Sequence, residues 1–106
     1  MTPALLLCLS VLITDGDTIR CNNERVRIWA LDCPELHMKG GYEAKQALQN
    51  LLKGKVEIKR KDRDRYGRTV AIVFADGRDV ARRMIASGTC KELCRYSGNK
   101  YATCER

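Results

Sequence analysis

The segment Ser10–Glu35, SVLITDGDTIRCNNERVRIWALDCPE, gives the clearest indication of the fold. Apolar side chains are frequent in three parts of it, which we predict as consecutive strands over residues 10–14, 18–21 and 24–31. The Asp15-Gly16 pair between the first two strands favours a hairpin turn, because glycine tolerates positive φ. The third strand is predicted to end before Pro34, which cannot donate a hydrogen bond to a sheet.

The remainder of the chain predicts two helices and two more strands. These are a helix over residues 42–53, strands over residues 55–61 and 68–74, and a second helix over residues 80–87. Apolar residues recur at helical spacing in the first helix, which Gly54 follows, and Asp79 can cap the second helix. Five strands, with a helix after the third and another after the fifth, predict an α+β domain built on a five-stranded β-barrel of the oligonucleotide-binding (OB) type.

Composition restricts the class of protein. The chain has 106 residues and a formal net charge of +7, with 44% hydrophobic and 31% charged residues. This balance is typical of one globular domain rather than of a disordered chain. The longest apolar run, residues 4–13, is too short to cross a bilayer, so we do not expect an integral membrane protein. The positive charge favours polyanionic partners but says nothing about the fold.

Residues 1–7 are predicted to be an irregular lead-in or the remnant of a signal segment, and residues 8–106 to form the domain. The apolar run resembles the hydrophobic part of a secretory signal. However, no Lys or Arg precedes it and no A-x-A cleavage site follows it, so no intact signal peptide is recognised. Because Asp15 follows at once, we expect the run to supply the first strand as well.

Six cysteines, at positions 8, 21, 33, 90, 94 and 104, favour disulfides and an oxidising compartment. Cys94 and Cys104 bracket a polar segment whose closure would hold the C-terminal region, and Cys8 and Cys21 flank the predicted turn as cross-strand neighbours would. Free thiols are one alternative. A metal knuckle of Cys90, Cys94 and Cys104 is another, although it lacks a fourth ligand and paired C-x-x-C spacing. We therefore expect a secreted or periplasmic protein.

Three charged motifs stand at the ends of predicted strands. They are D-G-D-T at residues 15–18, R-x4-D-x-P-E at residues 27–35 and D-R-Y-G-R at residues 64–68. Each motif alone is a weak signal, since Asp-Gly is usually a turn and a charged run is usually a solvated loop. In this order and with this spacing, they resemble the thermonuclease family, the staphylococcal nuclease-like domains, over about residues 11–88.

The resemblance implies the same OB-type barrel and a function. Members of the family are typically calcium-dependent phosphodiesterases that hydrolyse DNA and RNA with little sequence specificity and leave 3′-phosphate ends. Others are catalytically silent nucleic-acid-binding modules, which is our alternative. A small disulfide-stabilised interaction domain is a third class, but the three ordered motifs argue against it. For the leading class we expect a monomer with single-stranded or double-stranded nucleic acid as substrate and no membrane association.

Two carboxylates in the motifs suit a calcium ion. Asp17 and Asp32 offer hard oxygen ligands, which Ca²⁺ prefers, and water can complete the coordination shell. The resemblance assigns a further ligand, a main-chain carbonyl, to Cys33, where the family usually has Thr. Ligation through the main chain does not depend on that side chain.

The resemblance also assigns the catalytic groups. Glu35 matches the position linked to activating the attacking water, where a carboxylate can act as general base through a short hydrogen bond. Arg27 and Arg68 match the two arginines that grip the scissile phosphate. Their planar guanidinium groups can each bind two phosphate oxygens at once. Arg68 could also stabilise the leaving group or the transition state.

The nucleotide-positioning residues come from the resemblance as well. Arg65 and Tyr66 match positions beside the substrate phosphate and base, and Tyr96 matches one of two later tyrosines. Stacking on aromatic rings tolerates any base, which suits a nuclease of low specificity. We interpret His37 as a bystander and Trp29 as a core residue rather than a stacking platform.

Arg27 and Asp32 must satisfy a geometric condition. They are five positions apart, so strict alternation would put their side chains on opposite faces of the third strand. A bulge, or the end of the strand near Leu31, must bring them to one side. We therefore predict that both side chains line the same cleft.

Overall fold

The computed structural model describes residues 4–104. The strands in this range are β1 (Leu6–Cys8), β2 (Val11–Asp15), β3 (Thr18–Cys21), β4 (Glu24–Ile28), β5 (Leu31–Asp32), β6 (Val56–Arg63), β7 (Thr69–Ala75), β8 (Arg78–Asp79) and β9 (Lys91–Glu92). The helices are α1 (Gly41–Leu51), α2 (Val80–Ala86) and α3 (Cys94–Ser97). Every predicted element has a counterpart, and the additional elements are all short.

One curled mixed sheet has the strand order β1–β6–β7–β4–β3–β2, with β8 paired to β7. Strands β4 and β7 run parallel, and the other neighbours in this sheet are antiparallel. The strands at the two ends of the order, β1 and β2, are consecutive in the chain and are separated only by Leu9 and Ser10. Because one bent segment supplies both ends, the sheet curls into a half-barrel. With the helices, this confirms the predicted α+β fold of OB type.

The predicted third strand divides into two. Strand β4 ends at Ile28 and β5 begins at Leu31, because Ala30 adopts a left-handed conformation with φ of 66° that a continuous strand does not allow. Strand β5 then leaves the large sheet and pairs with β9, with Asp32 opposite Lys91. The break therefore lies directly before one of the predicted metal-binding carboxylates.

The N-terminal segment also differs from the prediction. Leu6 and Leu7 fall in the predicted irregular lead-in, residues 1–7, yet Leu6–Cys8 forms β1 and pairs with β6. This pairing satisfies backbone hydrogen-bonding groups at the edge of β6, and the disulfide from Cys8 to Cys21 links β1 to β3. Residues 1–3 of the predicted lead-in lie outside the described residues.

Three disulfides connect the elements: Cys8–Cys21, Cys33–Cys90 and Cys94–Cys104. The first and third are the pairs that the sequence favours, whereas the second was not selected from the sequence. It ties the residue after β5 to the residue before β9. No free cysteine occurs among residues 4–104. The alternatives of free thiols and of a metal knuckle are therefore wrong, since every candidate sulfur is bonded to another sulfur.

Helix α1 packs against the turn between β2 and β3. Gly16 in this turn fits because it has no side chain: a Cβ there would lie 2.7 Å from the Cβ of Ala44 and 3.0 Å from that of Cys33. The close approach fixes the turn against both the helix and the residue after β5, and so positions Asp17. The core between the sheet and the helices includes Ile19, Ile28, Leu31, Leu48, Ile58 and Met84. No helix within residues 4–104 has the length and apolar character to cross a membrane.

Candidate active site

A cleft of about 650 Å³ opens beside the end of β4, the β6–β7 loop and α3. Arginines and aromatic residues dominate its lining: Arg27, Arg63, Arg65, Arg68, Arg95, Trp29, Tyr66 and Tyr96. Asp62 and Asp64 are the carboxylates that line it. A concave surface with excess positive charge and aromatic rings suits a polyanion that carries bases.

Asp17 is a buried carboxylate next to this cleft. Strands β3 and β4 pair with Thr18 opposite Arg27, and Nη1 of Arg27 lies 3.1 Å from Oδ2 of Asp17. The hydroxyl of Thr18 donates to Oδ1 at 3.1 Å, and the main-chain N–H of Cys33 donates to Oδ2 at 2.9 Å. Burial raises the pKa of Asp17, and the Arg27 charge and these hydrogen bonds only partly offset that effect. The neighbours of Asp17 therefore compensate its ionised form only in part.

The residues predicted to hold a metal ion come from two neighbouring segments. The hydrogen bond from Cys33 to Asp17 joins the β2–β3 turn to the end of β5, where Asp32 is exposed. The side chain of Cys33 has no oxygen and its sulfur is bonded to Cys90, so the main-chain carbonyl is the one ligand atom that this residue can offer. The two carboxylates and the carbonyl offer only oxygen atoms, which are the donors that Ca²⁺ prefers.

The prediction that Arg27 and Asp32 line one cleft is not met. Arg27 lines the cleft, but Asp32 is not among its lining residues. The left-handed turn at Ala30 carries the chain into β5, where Asp32 is exposed. Asp17 instead links the segments of Arg27 and Asp32. It contacts Arg27, and it accepts a hydrogen bond from the N–H of Cys33, the residue after Asp32. The predicted constellation is thus divided between the cleft and the adjoining rim.

Asp64 orders the loop that carries the D-R-Y-G-R motif. Its Oδ1 accepts hydrogen bonds from the N–H groups of Tyr66 and Arg68, both at 2.9 Å, and its Oδ2 accepts one from Nε of Arg68 at 2.7 Å. Burial alone would raise the pKa of Asp64, but these hydrogen bonds and the Arg68 charge outweigh it, so the pKa is lowered. Sequence reasoning included Asp64 in the D-R-Y-G-R motif but assigned it no role of its own. Its place at the head of the motif was the signal that could have identified it.

The three predicted nucleotide-positioning residues all line the cleft. Tyr66 is 59% exposed and Tyr96 is 65% exposed. The guanidinium of Arg65 lies 5.0 Å from the ring centre of Tyr66 and donates to its hydroxyl at 2.9 Å. Arg68 lies 5.4 Å from the same ring centre. Open rings beside guanidinium groups form a surface that can stack bases and bind phosphates together.

Glu35 lies outside the cleft lining. Its side chain is 71% exposed, and its Oε2 is 3.5 Å from Nε2 of His37. The loop is held where the N–H of Leu36 donates to Oδ1 of Asp15 at 3.2 Å. The loop that carries Glu35 is therefore held next to the turn between β2 and β3. His37, which was predicted to be a bystander, contacts the Glu35 side chain directly.

Trp29 meets its prediction as a core residue only in part, since it packs against the core and also lines the cleft. Val26 and Ile28 are buried in β4, and Trp29 is the first residue after this strand. The indole is only partly buried and lines the cleft. Two further lining residues that the sequence reasoning missed are Arg63 and Arg95.

Comparisons with known proteins identify the family. The family model described as "Staphylococcal nuclease homologue" matches residues 25–105. An uncharacterized endonuclease of Haemophilus influenzae is 33% identical over 96 residues, which cover 85% of this chain and 54% of the relative. A probable staphylococcal-like nuclease of Oryza sativa, CAN1, is 36% identical over 82 residues, which cover 76% of this chain and 25% of the relative. The micrococcal nuclease of Shigella flexneri is 41% identical over 70 residues, which cover 61% of this chain and 40% of the relative.

The chain spans about half the length of the first of these relatives and a smaller part of the other two. The family match includes Arg27, Asp32, Glu35 and Arg68, whereas Asp17 precedes it. The match covers well over half of the chain, and the fold agrees with it. The chain therefore belongs to the staphylococcal nuclease family.

Proposed function

We propose that this protein is a calcium-dependent phosphodiesterase that hydrolyses DNA and RNA with little sequence specificity and leaves 3′-phosphate ends. The observation that carries the proposal is the arginine-rich cleft beside a buried carboxylate, Asp17. Family membership and the relatives that are named as nucleases support a nuclease activity.

Arg27 and Arg68 grip the scissile phosphate. Nη1 of Arg27 contacts Asp17, and Nε of Arg68 bonds to Asp64, which leaves other N–H donors of both guanidinium groups for phosphate oxygens. The two carboxylates fix the orientation of the arginines before the substrate arrives. Less ordering is then needed when the phosphate binds, which favours the reaction.

The candidate calcium ligands are the carboxylates of Asp17 and Asp32 and the main-chain carbonyl of Cys33. When bound, Ca²⁺ would neutralise negative charge that accumulates on the phosphate. The burial of Asp17 supports this role, because an ion pair screened by little water is stronger than one on an open surface.

Glu35 acts as the general base in this proposal. Its exposure gives water access to the carboxylate, which accepts a proton from the attacking water through a short hydrogen bond. Since the products carry 3′-phosphates, the 5′ oxygen is the leaving group. Arg68 stabilises the negative charge that develops on this oxygen.

Low sequence specificity follows from Tyr66 and Tyr96. Their exposed rings can stack on any base, because every base has a π-face. Arg65, which contacts Tyr66, adds positive charge for the neighbouring backbone. None of these contacts reads a particular base edge.

We also propose that the protein acts as a monomer in an oxidising compartment, secreted or periplasmic. Three disulfides support this location, because such bonds rarely persist in a reducing cytosol. Mass spectrometry of the native protein before and after reduction tests it. Fully reduced cysteines in the native protein would contradict export.

A catalytically silent nucleic-acid-binding module is the second candidate. The position of Glu35 favours it, since this residue contacts His37 and is not among the residues that line the cleft. Such a module would use the same arginines and tyrosines to bind nucleic acid without cleaving it.

The test is degradation of 5′-labelled single-stranded DNA by the native protein with Ca²⁺, by the native protein with EDTA, and by Glu35→Gln with Ca²⁺. We expect 3′-phosphate products in the first reaction and a rate roughly 10²-fold lower in the other two. Glu43→Gln removes an exposed carboxylate on α1 and is the matched control, with a native rate expected. Equal cleavage in all reactions would reject the mechanism, whereas binding without cleavage would favour the module.

A further inference from the structure

Two lysine ammonium groups lie over the ring of Trp29. Nζ of Lys61 is 4.4 Å from the ring centre and Nζ of Lys100 is 5.3 Å from it. Tyr101 packs edge-on against Trp29 with ring centres 6.5 Å apart, and Lys100 is 5.8 Å from the ring of Tyr101. We call Trp29, Lys61 and Lys100 the tryptophan cluster. The roles proposed above use none of its members.

The backbone explains why these residues meet. The N–H of Trp29 donates to the carbonyl of Ala71 on β7 at 2.8 Å, which fixes the indole at the end of β4. On the other side of β7, the register of β6 shifts between Arg60 and Asp62, so Lys61 is the extra residue of a bulge. A bulge redirects a side chain relative to a regular strand. In this protein the side chain of the bulge residue, Lys61, lies over the ring of Trp29.

The charge of the tryptophan cluster is uncompensated within the described residues. No carboxylate of residues 4–104 lies within 4.0 Å of Nζ of Lys61 or Lys100. The indole ring attracts each ammonium group, but two like charges near one ring also repel each other. A phosphate bound between them would remove this repulsion. The cluster therefore combines the chemistry of a phosphate site with an aromatic surface for a base.

The tryptophan cluster adjoins the residues that hold the scissile phosphate. Arg27 lies in β4 and Trp29 directly follows this strand, so the two residues are two positions apart, which is about 7 Å in extended backbone. Both line the cleft. A nucleic-acid strand held by Arg27 and Arg68 can therefore continue directly past the indole.

We propose that the tryptophan cluster is a second nucleotide subsite, in which Lys61 and Lys100 bind the phosphate next to the scissile one and Trp29 contacts its base. This inference rests on the nucleic-acid cleft of the proposed function and extends it. The preferred substrate is then a strand of several nucleotides rather than a dinucleotide.

Trp29 is the only tryptophan of the chain, so its fluorescence reports on this subsite directly. In EDTA, a single-stranded octanucleotide should change the emission, while a dinucleotide or inorganic phosphate at the same phosphate concentration should change it much less. Anisotropy of a labelled octanucleotide measures binding independently. Binding without any change in emission would overturn the proposal. An equal response to inorganic phosphate would also overturn it, because the cluster would then be an anion site without a role for the strand.

The double variant Lys61→Gln/Lys100→Gln isolates the lysines, which are both exposed. We expect octanucleotide affinity to fall roughly 10-fold at low salt, and the slope of log affinity against log salt to shrink by about 1. The affinity for a dinucleotide should fall far less.

Lys45→Gln/Lys53→Gln is the matched control, since it removes the same charge from α1 and the residues just after it. This control should change octanucleotide affinity less than about twofold. Equal weakening by both double variants would indicate a general charge effect and reject the subsite. If the native protein shows the expected binding pattern but no cleavage with Ca²⁺, the nuclease proposal fails and the subsite stands.

Discussion

Single carboxylates orient the arginines of the cleft. Asp17 contacts Arg27 and Asp64 contacts Arg68, and each carboxylate also accepts main-chain hydrogen bonds. These contacts hold each guanidinium in one direction, which matters because a planar fork must meet two phosphate oxygens at once. Asp64 is therefore a positioning residue that acts through Arg68.

Asp64→Ala removes three hydrogen bonds from the loop and releases Arg68. We expect kcat on single-stranded DNA to fall roughly 10²-fold, because a misdirected guanidinium no longer meets the phosphate. Asp64→Asn, which keeps a side-chain oxygen, should recover part of the rate. Steady-state kinetics and circular dichroism check this. A folded alanine variant with native kcat would refute the positioning role.

The sequence identified the residues of the site better than it predicted where their side chains lie. Motif spacing selected Arg65, Arg68 and Tyr66, which line one cleft in the structure. The left-handed φ of Ala30, which carries Asp32 out of the large sheet, has no signal in the sequence because alanine rarely adopts it. The position of Trp29 in the cleft lining was missed for a related reason, since a large apolar residue in an apolar strand indicates a core position.

At the scale of elements, two very short strands position two of the three candidate metal ligands, Asp32 and Cys33. Strands β5 and β9 contribute two residues each, and the Cys33–Cys90 disulfide joins the segments beside them. Because this two-residue ladder supplies few hydrogen bonds, the disulfide provides much of the constraint that holds β5 beside β9. Neither contact could be predicted, because pairing between distant residues leaves no periodic pattern in the sequence.

Cys33→Ser/Cys90→Ser tests this arrangement. The disulfide spans a sequence separation of 57, so its loss should lower the free energy of unfolding by about 4 kcal/mol. The Ca²⁺ concentration for half-maximal cleavage should rise, because the N–H of Cys33 holds Asp17. Denaturant unfolding and calcium titrations of cleavage measure the two effects.

Cys94→Ser/Cys104→Ser is the matched control for this pair. Its sequence separation is 10, and its loss should cost about 3 kcal/mol without changing the calcium dependence. Equal calcium shifts in both double variants would contradict the assigned role of Cys33.

The C-terminal segment depends on one buried carboxylate, Glu92 of β9. Its oxygens accept hydrogen bonds from the hydroxyl of Ser97, from the N–H of Tyr101, and from both the N–H and the hydroxyl of Thr103. Burial alone would raise the pKa of Glu92, but these hydrogen bonds outweigh it and lower the pKa to about 2. The same carboxylate thus holds together the segment that carries Tyr96.

The pKa of Glu92 predicts a loss of stability in acid. Its folded value lies below the ordinary value of 4.5, so the stabilisation is complete above pH 4.5 and is lost as the pH falls towards 2. We expect a contribution on the order of 3 kcal/mol over that window. Denaturant unfolding of the native protein and of Glu92→Gln from pH 2 to pH 7 measures it. Parallel curves for the two proteins would contradict the assignment.

At the scale of the whole molecule, the cleft combines an excess of positive charge with the exposed rings of Tyr66 and Tyr96. The net charge is +7, and arginines outnumber carboxylates in the cleft lining. Composition predicted a polyanionic partner, and local periodicity predicted the main strands and two helices. The curling of the sheet could not be predicted in the same way, because it depends on the bend between β1 and β2 and on the distant pairing of β1 with β6.

The most direct test compares single-turnover cleavage of a labelled single-stranded octanucleotide in Ca²⁺ by three proteins: native, Arg68→Lys and Arg83→Lys. Arg83 is an exposed arginine on α2 that does not line the cleft. The rate for Arg68→Lys should be roughly 10²- to 10³-fold lower, because lysine offers no planar fork to the phosphate. Arg83→Lys should cleave at the native rate. Cleavage by folded Arg68→Lys at the native rate would contradict the claim that guanidinium groups held in this cleft bind the phosphate being hydrolysed.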